Sequence, residues 1–189
     1  MKLCMYLTKL GMPDKNNKGR LKFPLYIWRS MIKKVSTEAI IVGAGPAGAG
    51  TSIYLTKAGI PHVIIDKATF PRDKVCGDGC SGKTAFVLRK ANPDWLKEIF
   101  SMPQSFMPSH GIIMVAPNGR AINIPYNPSR QPDEPAPGFT TPRMVFDNFL
   151  FEKLPSPYTT IYQNANVKSI TRNSDNTVTA FRRAKTRLK

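Results

Sequence analysis

The residues best suited to do chemistry are Gly43-Ala44-Gly45-Pro46-Ala47-Gly48, followed twenty-three positions after Gly43 by Asp66. In such a run the first glycine permits a tight turn from strand to helix. The second lets the backbone come close to a diphosphate, and the third lets helix and strand pack closely. Unpaired N–H groups at the start of the helix, the positive end of its dipole, would face the diphosphate. The Asp66 carboxylate would accept hydrogen bonds from the hydroxyls of an adenosine ribose. A carboxylate in that place repels a 2′-phosphate, so the pattern points to FAD or NAD rather than NADP. A lone GxGxxG also fits an ordinary tight strand–helix junction; what gives this one weight is its context.

That context is a strand–helix–strand unit. Ala39-Ile40-Ile41-Val42 is a β-branched run of the kind buried on both faces of a parallel sheet. A helix is expected from about Pro46 to Ala58, with proline in its first turn. Ala47, Thr51, Tyr54, Leu55 and Ala58 would share one face. Gly59 and Pro61 end the helix. Val63-Ile64-Ile65 is the second buried strand, closing at Asp66. Further along, short helices are expected at Lys83–Lys90 and Asp94–Phe100. A hairpin should join Gly111–Val115 to Ala121–Ile124 around Pro117-Asn118-Gly119, since Asn-Gly accepts positive φ at both turn positions. Residues 127–138, with four prolines, read as an irregular loop. A helix follows at about Met144–Leu154, with Val145, Phe146, Phe149 and Leu150 inward. Thr160–Tyr162 is a candidate third strand, and Val167–Thr171 with Thr177–Phe181 a second hairpin.

The net charge of +16 suggests nucleic acid until its distribution is read. Residues 1–35 carry nine Lys or Arg and one acid, and residues 182–189 carry five basic residues and no acid. Fourteen basic and eleven acidic residues remain between 36 and 181, so the body is nearly balanced. A nucleic-acid module places its basic stripe on folded elements, so no nucleic-acid partner is expected. No apolar run is long enough to span a membrane, which leaves at most peripheral membrane contact. Cys4, Cys76 and Cys80 make no disulfide framework, and the expected compartment is the cytoplasm. Cys76 and Cys80 lack a cluster of further ligands, so no metal site is expected. His62 and His110 are isolated, His62 at a strand edge, and neither is assigned a catalytic role.

The loop from Lys67 to Ser81 combines cations and glycines, a composition suited to a flat, anionic cofactor. Three passages together carry a resemblance. They are Val42–Gly48 with Asp66; Phe70-Pro71-Arg72-Asp73-Lys74-Val75-Cys76-Gly77-Asp78-Gly79; and Arg143 followed by Phe146-Asp147 and Leu150. The stretch from Val35 to about Phe181 resembles the N-terminal part of the geranylgeranyl reductase family. Those are FAD-dependent oxidoreductases of the para-hydroxybenzoate hydroxylase fold. The second passage is the most discriminating of the three.

The resemblance implies an α/β fold: a Rossmann-like FAD-binding βαβ domain with the beginning of an antiparallel β substrate domain. Residues 35–103 and 139–181 would form the partial FAD-binding domain, and 104–138 the start of the substrate-domain sheet. Gly43, Gly45, Pro46, Ala47, Gly48 and Asp66 would bind the cofactor. Lys67, Arg72, Lys74, Cys76 and Gly77, on the loop facing FAD, and Arg143, approaching the flavin, would join them. The implied chemistry is hydride transfer from reduced FAD to a double bond of an isoprenoid chain, the protein supplying position and cavity. The substrate would be a prenyl or lipid-like small molecule; NADPH and ferredoxin remain open as electron donors, and no catalytic residue is named. Aromatic hydroxylation or halogenation on the same fold is the alternative, and a non-catalytic nucleotide-binding fragment the third reading. The family's chains are about twice this length. Gly11-Met12-Pro13-Asp14 and Asn16-Asn17-Lys18-Gly19 are turn clusters with no clean period after them, so residues 1–34 read as a disordered or mis-translated extension before a start at Met31; set against the family's length, 182–189 read as the basic tail of a truncated product carrying little flavin.

Overall fold

The computed structural model describes residues 3–8, 32–76, 78–129, 131, 134–175 and 177–184. Met31, the turn clusters between 11 and 19, Gly77 and residues 185–189, all singled out above, lie outside them. The chain divides into two compact units, Met1–Arg72 with Asp147–Lys189, and Asp73–Phe146.

In chain order the first unit opens with β1 (Leu3–Thr8), β2 (Ile32–Thr37), β3 (Ala39–Val42), α1 (Pro46–Lys57) and β4 (His62–Ile65). The second unit carries β5 (Gly79–Cys80), α2 (Gly82–Ala91), α3 (Asp94–Phe100), β6 (Met107–Ser109), β7 (Gly111–Val115), β8 (Ala121–Pro125) and β9 (Gly138–Thr140). Helix α4 (Arg143–Glu152) crosses the division, and β10 (Thr159–Tyr162), β11 (Ala165–Arg172) and β12 (Val178–Ala184) complete the first unit.

The expected strand–helix–strand unit is present. Strands β3 and β4 pair in parallel, and β10 joins β4 from the other side, giving the order β10-β4-β3. A strand flanked on both sides is buried throughout, and all four residues of β4 are buried. Strand β3, expected to be buried on both faces, is the edge of this sheet, and Val42 is 54% exposed. The buried face of α1 also differs from expectation: Ala49, Ser52 and Ile53 turn inward, whereas Ala47, Thr51 and Tyr54 are exposed. Two of those three inward residues are small, which lets the helix lie close to the strands. The five residues expected to share a face lie mostly on the solvent side.

His62 stands at the start of its strand, and that strand is not at a sheet edge. The strand is central and His62 is fully buried. Its Nδ1 donates to the Ile60 carbonyl at 2.9 Å, an oxygen that can only accept. In the neutral ring Nε2 is then an acceptor, within 2.7 Å of Ser52 Oγ and 3.2 Å of Thr159 Oγ1. The imidazole thus stitches α1, β4 and β10 together as a satisfied buried group.

A second sheet in the first unit has the order β11-β12-β1-β2. Leu3–Thr8, expected as part of an irregular extension, is therefore a strand, antiparallel to β2 and parallel to β12. Likewise Arg182–Ala184, expected as tail, continue β12, where Arg182 and Arg183 pair with Val167 and Asn166 of β11. Backbone pairing with neighbours on both sides outweighs a basic sequence that shows no alternation. Val63, Ile65 and Ala165 form a buried cluster onto which Val35, Ile40, Tyr162 and Val167 pack, so residues of both sheets share one core.

In the second unit β5, β9 and β6 form an antiparallel sheet around the fully buried Phe139. Its ring meets Phe100, Phe106 and Phe146 edge-on, at centroid distances of 6.3, 5.7 and 5.8 Å. The hairpin of β7 and β8 forms as expected, but its turn is different. Gly119 N–H donates to the Ala116 carbonyl at 2.9 Å, and of the turn residues only Gly119 has positive φ, at +79°. Pro117, with φ fixed near −65°, takes the first central position of a type I turn; Gly119 follows in the left-handed region. Ile112 pairs with Ile124 and Met114 with Ile122, giving one exposed aliphatic face. No helix among the described residues is long and apolar enough to cross a membrane.

Phe139→Ala removes the ring on which three others converge. The expected cost is about 3–5 kcal/mol, read as a fall in the denaturant midpoint. A cost below about 1 kcal/mol would show that these rings do not form the unit's core.

Candidate functional site

After Val42 the chain turns through Gly43, whose φ is +101°, a conformation that strains any side chain. Its N–H donates to the Ile65 carbonyl at 2.7 Å, tying the turn to the end of β4. Gly45 caps α1 and Pro46 is the first helical residue. The first helical bond runs from Ala49 N–H to the Gly45 carbonyl, at 2.8 Å. No side chain caps this helix start and no acid lies in its first turn. The helix therefore presents N–H donors and the positive end of its dipole with no carboxylate of its own first turn in competition, a donor set that fits a diphosphate.

Close packing explains the third glycine. A Cβ on Gly48 would lie 1.9 Å from the Gly43 carbonyl oxygen and 3.2 Å from Ile41 Cγ2. The second glycine has a neighbour that sequence reading did not place there: a Cβ on Gly45 would lie 3.1 Å from Arg72 Nη2. The turn is thus bordered by a guanidinium.

Asp66 lies at the end of β4, 6% exposed. Its Oδ2 accepts from Ala44 N–H at 2.7 Å and its Oδ1 from Ala68 N–H at 2.8 Å. Its own N–H donates to the Tyr162 carbonyl, and its carbonyl accepts from Ala165 N–H, both at 2.8 Å. The acid is therefore locked to the glycine turn by a charge-assisted bond. A carboxylate offers about four lone-pair directions, so two remain for sugar hydroxyls.

Arg72 reaches this place from the loop after β4. Its Nη2 lies 3.2 Å from Asp147 Oδ2, on the buried side of α4, with side-chain exposures of 18% and 0%. The guanidinium sits over the Phe70 ring, 5.0 Å from its centre. Phe70 in turn stacks on Phe151 at 4.2 Å, and the Phe70–Pro71 peptide is cis.

The structure thus brings Gly43–Gly48, Asp66 and Arg72 together in the first unit. Lys67 is exposed beside Asp66. Lys74, Cys76 and Arg143 belong to the second unit: Lys74 and Cys76 are exposed, and Arg143 is half-buried as the first residue of α4. Gly77 lies outside the described residues. Sequence reading quoted Asp147 without giving it a role and missed the Phe70–Phe151 stack. The signal for Asp147 was present, an acid on the inward stripe of α4 among Phe146, Phe149 and Leu150. Thr141, two residues before Arg143, has a buried hydroxyl with no partner among the described residues.

Two substitutions test this geometry. Gly48→Ala forces α1 away from the turn and should cost about 3 kcal/mol in denaturant unfolding; an unchanged midpoint would contradict the packing. Asp66→Asn turns one acceptor into a donor facing a backbone N–H. A loss of about 1–3 kcal/mol is expected, and wild-type stability would show that the carboxylate does not hold the turn.

Comparison with known proteins supports an FAD-binding fold. The model described as FAD binding domain matches residues 36–187. The menaquinone reductase of Mycolicibacterium smegmatis is 32% identical over 112 residues, 59% of this chain and 25% of that protein. The digeranylgeranylglycerophospholipid reductase 1 of Methanothermobacter thermautotrophicus is 27% identical over 122 residues, 64% of this chain and 28% of that protein. Among solved structures, the flavin-dependent halogenase CmlS superposes with a TM-score of 0.61 at 18% identity, over 74% of this chain and 24% of that one. The chain thus spans about a quarter of the length of these proteins. Matched over most of its own length, the chain belongs to the FAD binding domain family, and its cofactor is FAD.

Proposed function

We propose that this chain holds the adenosine diphosphate end of FAD in a reductase of isoprenoid compounds. The observation that carries the cofactor part is the bond from Ala44 N–H to Asp66 Oδ2, which joins the anion-binding turn to the sugar-binding acid. In this reading the amides at the start of α1 take the diphosphate, and the free lone pairs of Asp66 take the ribose hydroxyls. Arg72 supplies positive charge beside Gly45. The resemblance to geranylgeranyl reductases adds Lys67, Lys74, Cys76, Gly77 and Arg143 as further cofactor-binding residues. FAD, when bound, supplies the hydride; the protein's part is to orient it and to exclude water.

Three observations support the choice of substrate class. The discriminating Phe70–Gly79 passage resembles that of geranylgeranyl reductases. Two of the similar proteins are named as reductases of menaquinone and of digeranylgeranylglycerophospholipid, molecules that both carry prenyl chains. The aliphatic face of Ile112, Met114, Ile122 and Ile124 is of a chemistry that a prenyl chain wets. The likeness to a halogenase is one of fold, and fold alone does not choose a reaction.

The test is anaerobic. Protein loaded with FAD and reduced with a stoichiometric amount of dithionite is mixed with a geranylgeranyl lipid, and the return of flavin absorbance is followed together with the saturation of a prenyl double bond. Reoxidation by the prenyl compound without oxygen is the expected result. Reoxidation that requires oxygen and yields a hydroxylated or halogenated phenol would replace this reading with the alternative chemistry.

A further inference from the structure

We infer that Asp147 is a positioning residue for the diphosphate site, holding the Arg72 guanidinium against the glycine turn. The inference rests on the reading of that turn as a diphosphate site. Asp147 is fully buried in α4, yet its carboxylate Oδ2 faces the same guanidinium nitrogen, Nη2, that borders Gly45. A buried carboxylate is costly unless it is paired, so its place on the inward face of an aromatic helix calls for a reason. The geometry supplies one. Phe70 lies under the guanidinium plane, Phe151 backs Phe70, and Asp147 fixes the Nη2 corner. An arginine side chain has many rotamers, and each one ordered in advance is an entropic cost removed from ligand binding. Among the described residues Asp147 is the carboxylate partner of Arg72, which leaves further N–H groups of the fork to meet phosphate oxygens.

Two effects of Asp147 oppose each other, and this makes the inference testable. Its negative charge weakens the field of Arg72 at the turn, whereas its hydrogen-bonding position orders the fork. If charge dominates, removing the carboxylate strengthens diphosphate binding; if order dominates, removal weakens it. The inward burial of Asp147 and the three-sided confinement of Arg72 favour order.

The experiment measures calorimetric affinity for ADP and for adenosine in the wild type, Asp147→Asn, Arg72→Ala and the double variant Arg72→Ala/Asp147→Asn. In the wild type ADP should bind at least about tenfold more tightly than adenosine. Asp147→Asn should lose about tenfold in ADP affinity while adenosine stays within about twofold. The double variant should be no worse than Arg72→Ala, as expected of residues acting through one another. Where Asp147→Asn fails to fold, Arg72→Met/Asp147→Leu removes both charges and should retain the fold while losing the preference for ADP. A wild type with no preference for ADP overturns the diphosphate reading itself. A wild type that prefers ADP, with a folded Asp147→Asn of equal or higher ADP affinity, overturns the positioning role alone. Additive losses in the double variant, or a folded Arg72→Met/Asp147→Leu that keeps the preference, do the same.

Discussion

The site depends on one buried carboxylate. Asp66 accepts one backbone N–H from the glycine turn and one from the loop that follows β4, while its own backbone pairs with Tyr162 and Ala165. The end of one strand, the turn after another and the start of β11 are thereby fixed to a single residue. Because Asp66 is 6% exposed, these bonds act where water competes little, and losing the bond from Ala44 would leave a buried donor unpaired. The same group that would receive a ribose therefore also shapes the place where the diphosphate would lie. Binding and architecture are not separable at this position.

Glycine identity follows from the same constraint. With Ala44 drawn onto Asp66, the turn must pass through a positive φ at Gly43, and α1 must start so close that the Gly43 carbonyl occupies the space of a Gly48 side chain. Gly45 differs from these two. Its missing side chain makes room for a guanidinium that arrives from the loop after β4 and is held by Asp147 of α4. Three glycines at fixed spacing thus answer three separate steric demands.

Much of this was legible from residue order because it is local. The positions of Gly43, Pro46, Gly59 and Asp66 are set by turn and helix-end geometry, and the strand, helix and second strand lie where their apolar runs place them. What was not legible depends on distant partners. Leu3–Thr8 became a strand because β2 and β12 flank it, which its own six residues do not announce. Val42 is exposed because β3 is an edge strand, a matter of sheet order rather than of hydrophobicity. The inward face of α1 was misread because Ala49 and Ser52 are buried for being small. The ion pair of Arg72 with Asp147 joins residues seventy-five positions apart, and nothing in either neighbourhood names the other. The Asn-Gly turn was right as a hairpin but wrong in type, since Pro117 moves the turn one residue earlier.

The matched span covers only about a quarter of the length of the reductases and the halogenase that resemble this chain. The central claim, that the amides around the glycine turn receive a diphosphate, is tested most directly by following backbone amide resonances during titration with ADP. The account predicts the largest shifts at Ala44, Gly45, Ala47 and Gly48, with saturation in step. Shifts confined to residues outside Gly43–Gly48 and Asp66 would contradict it.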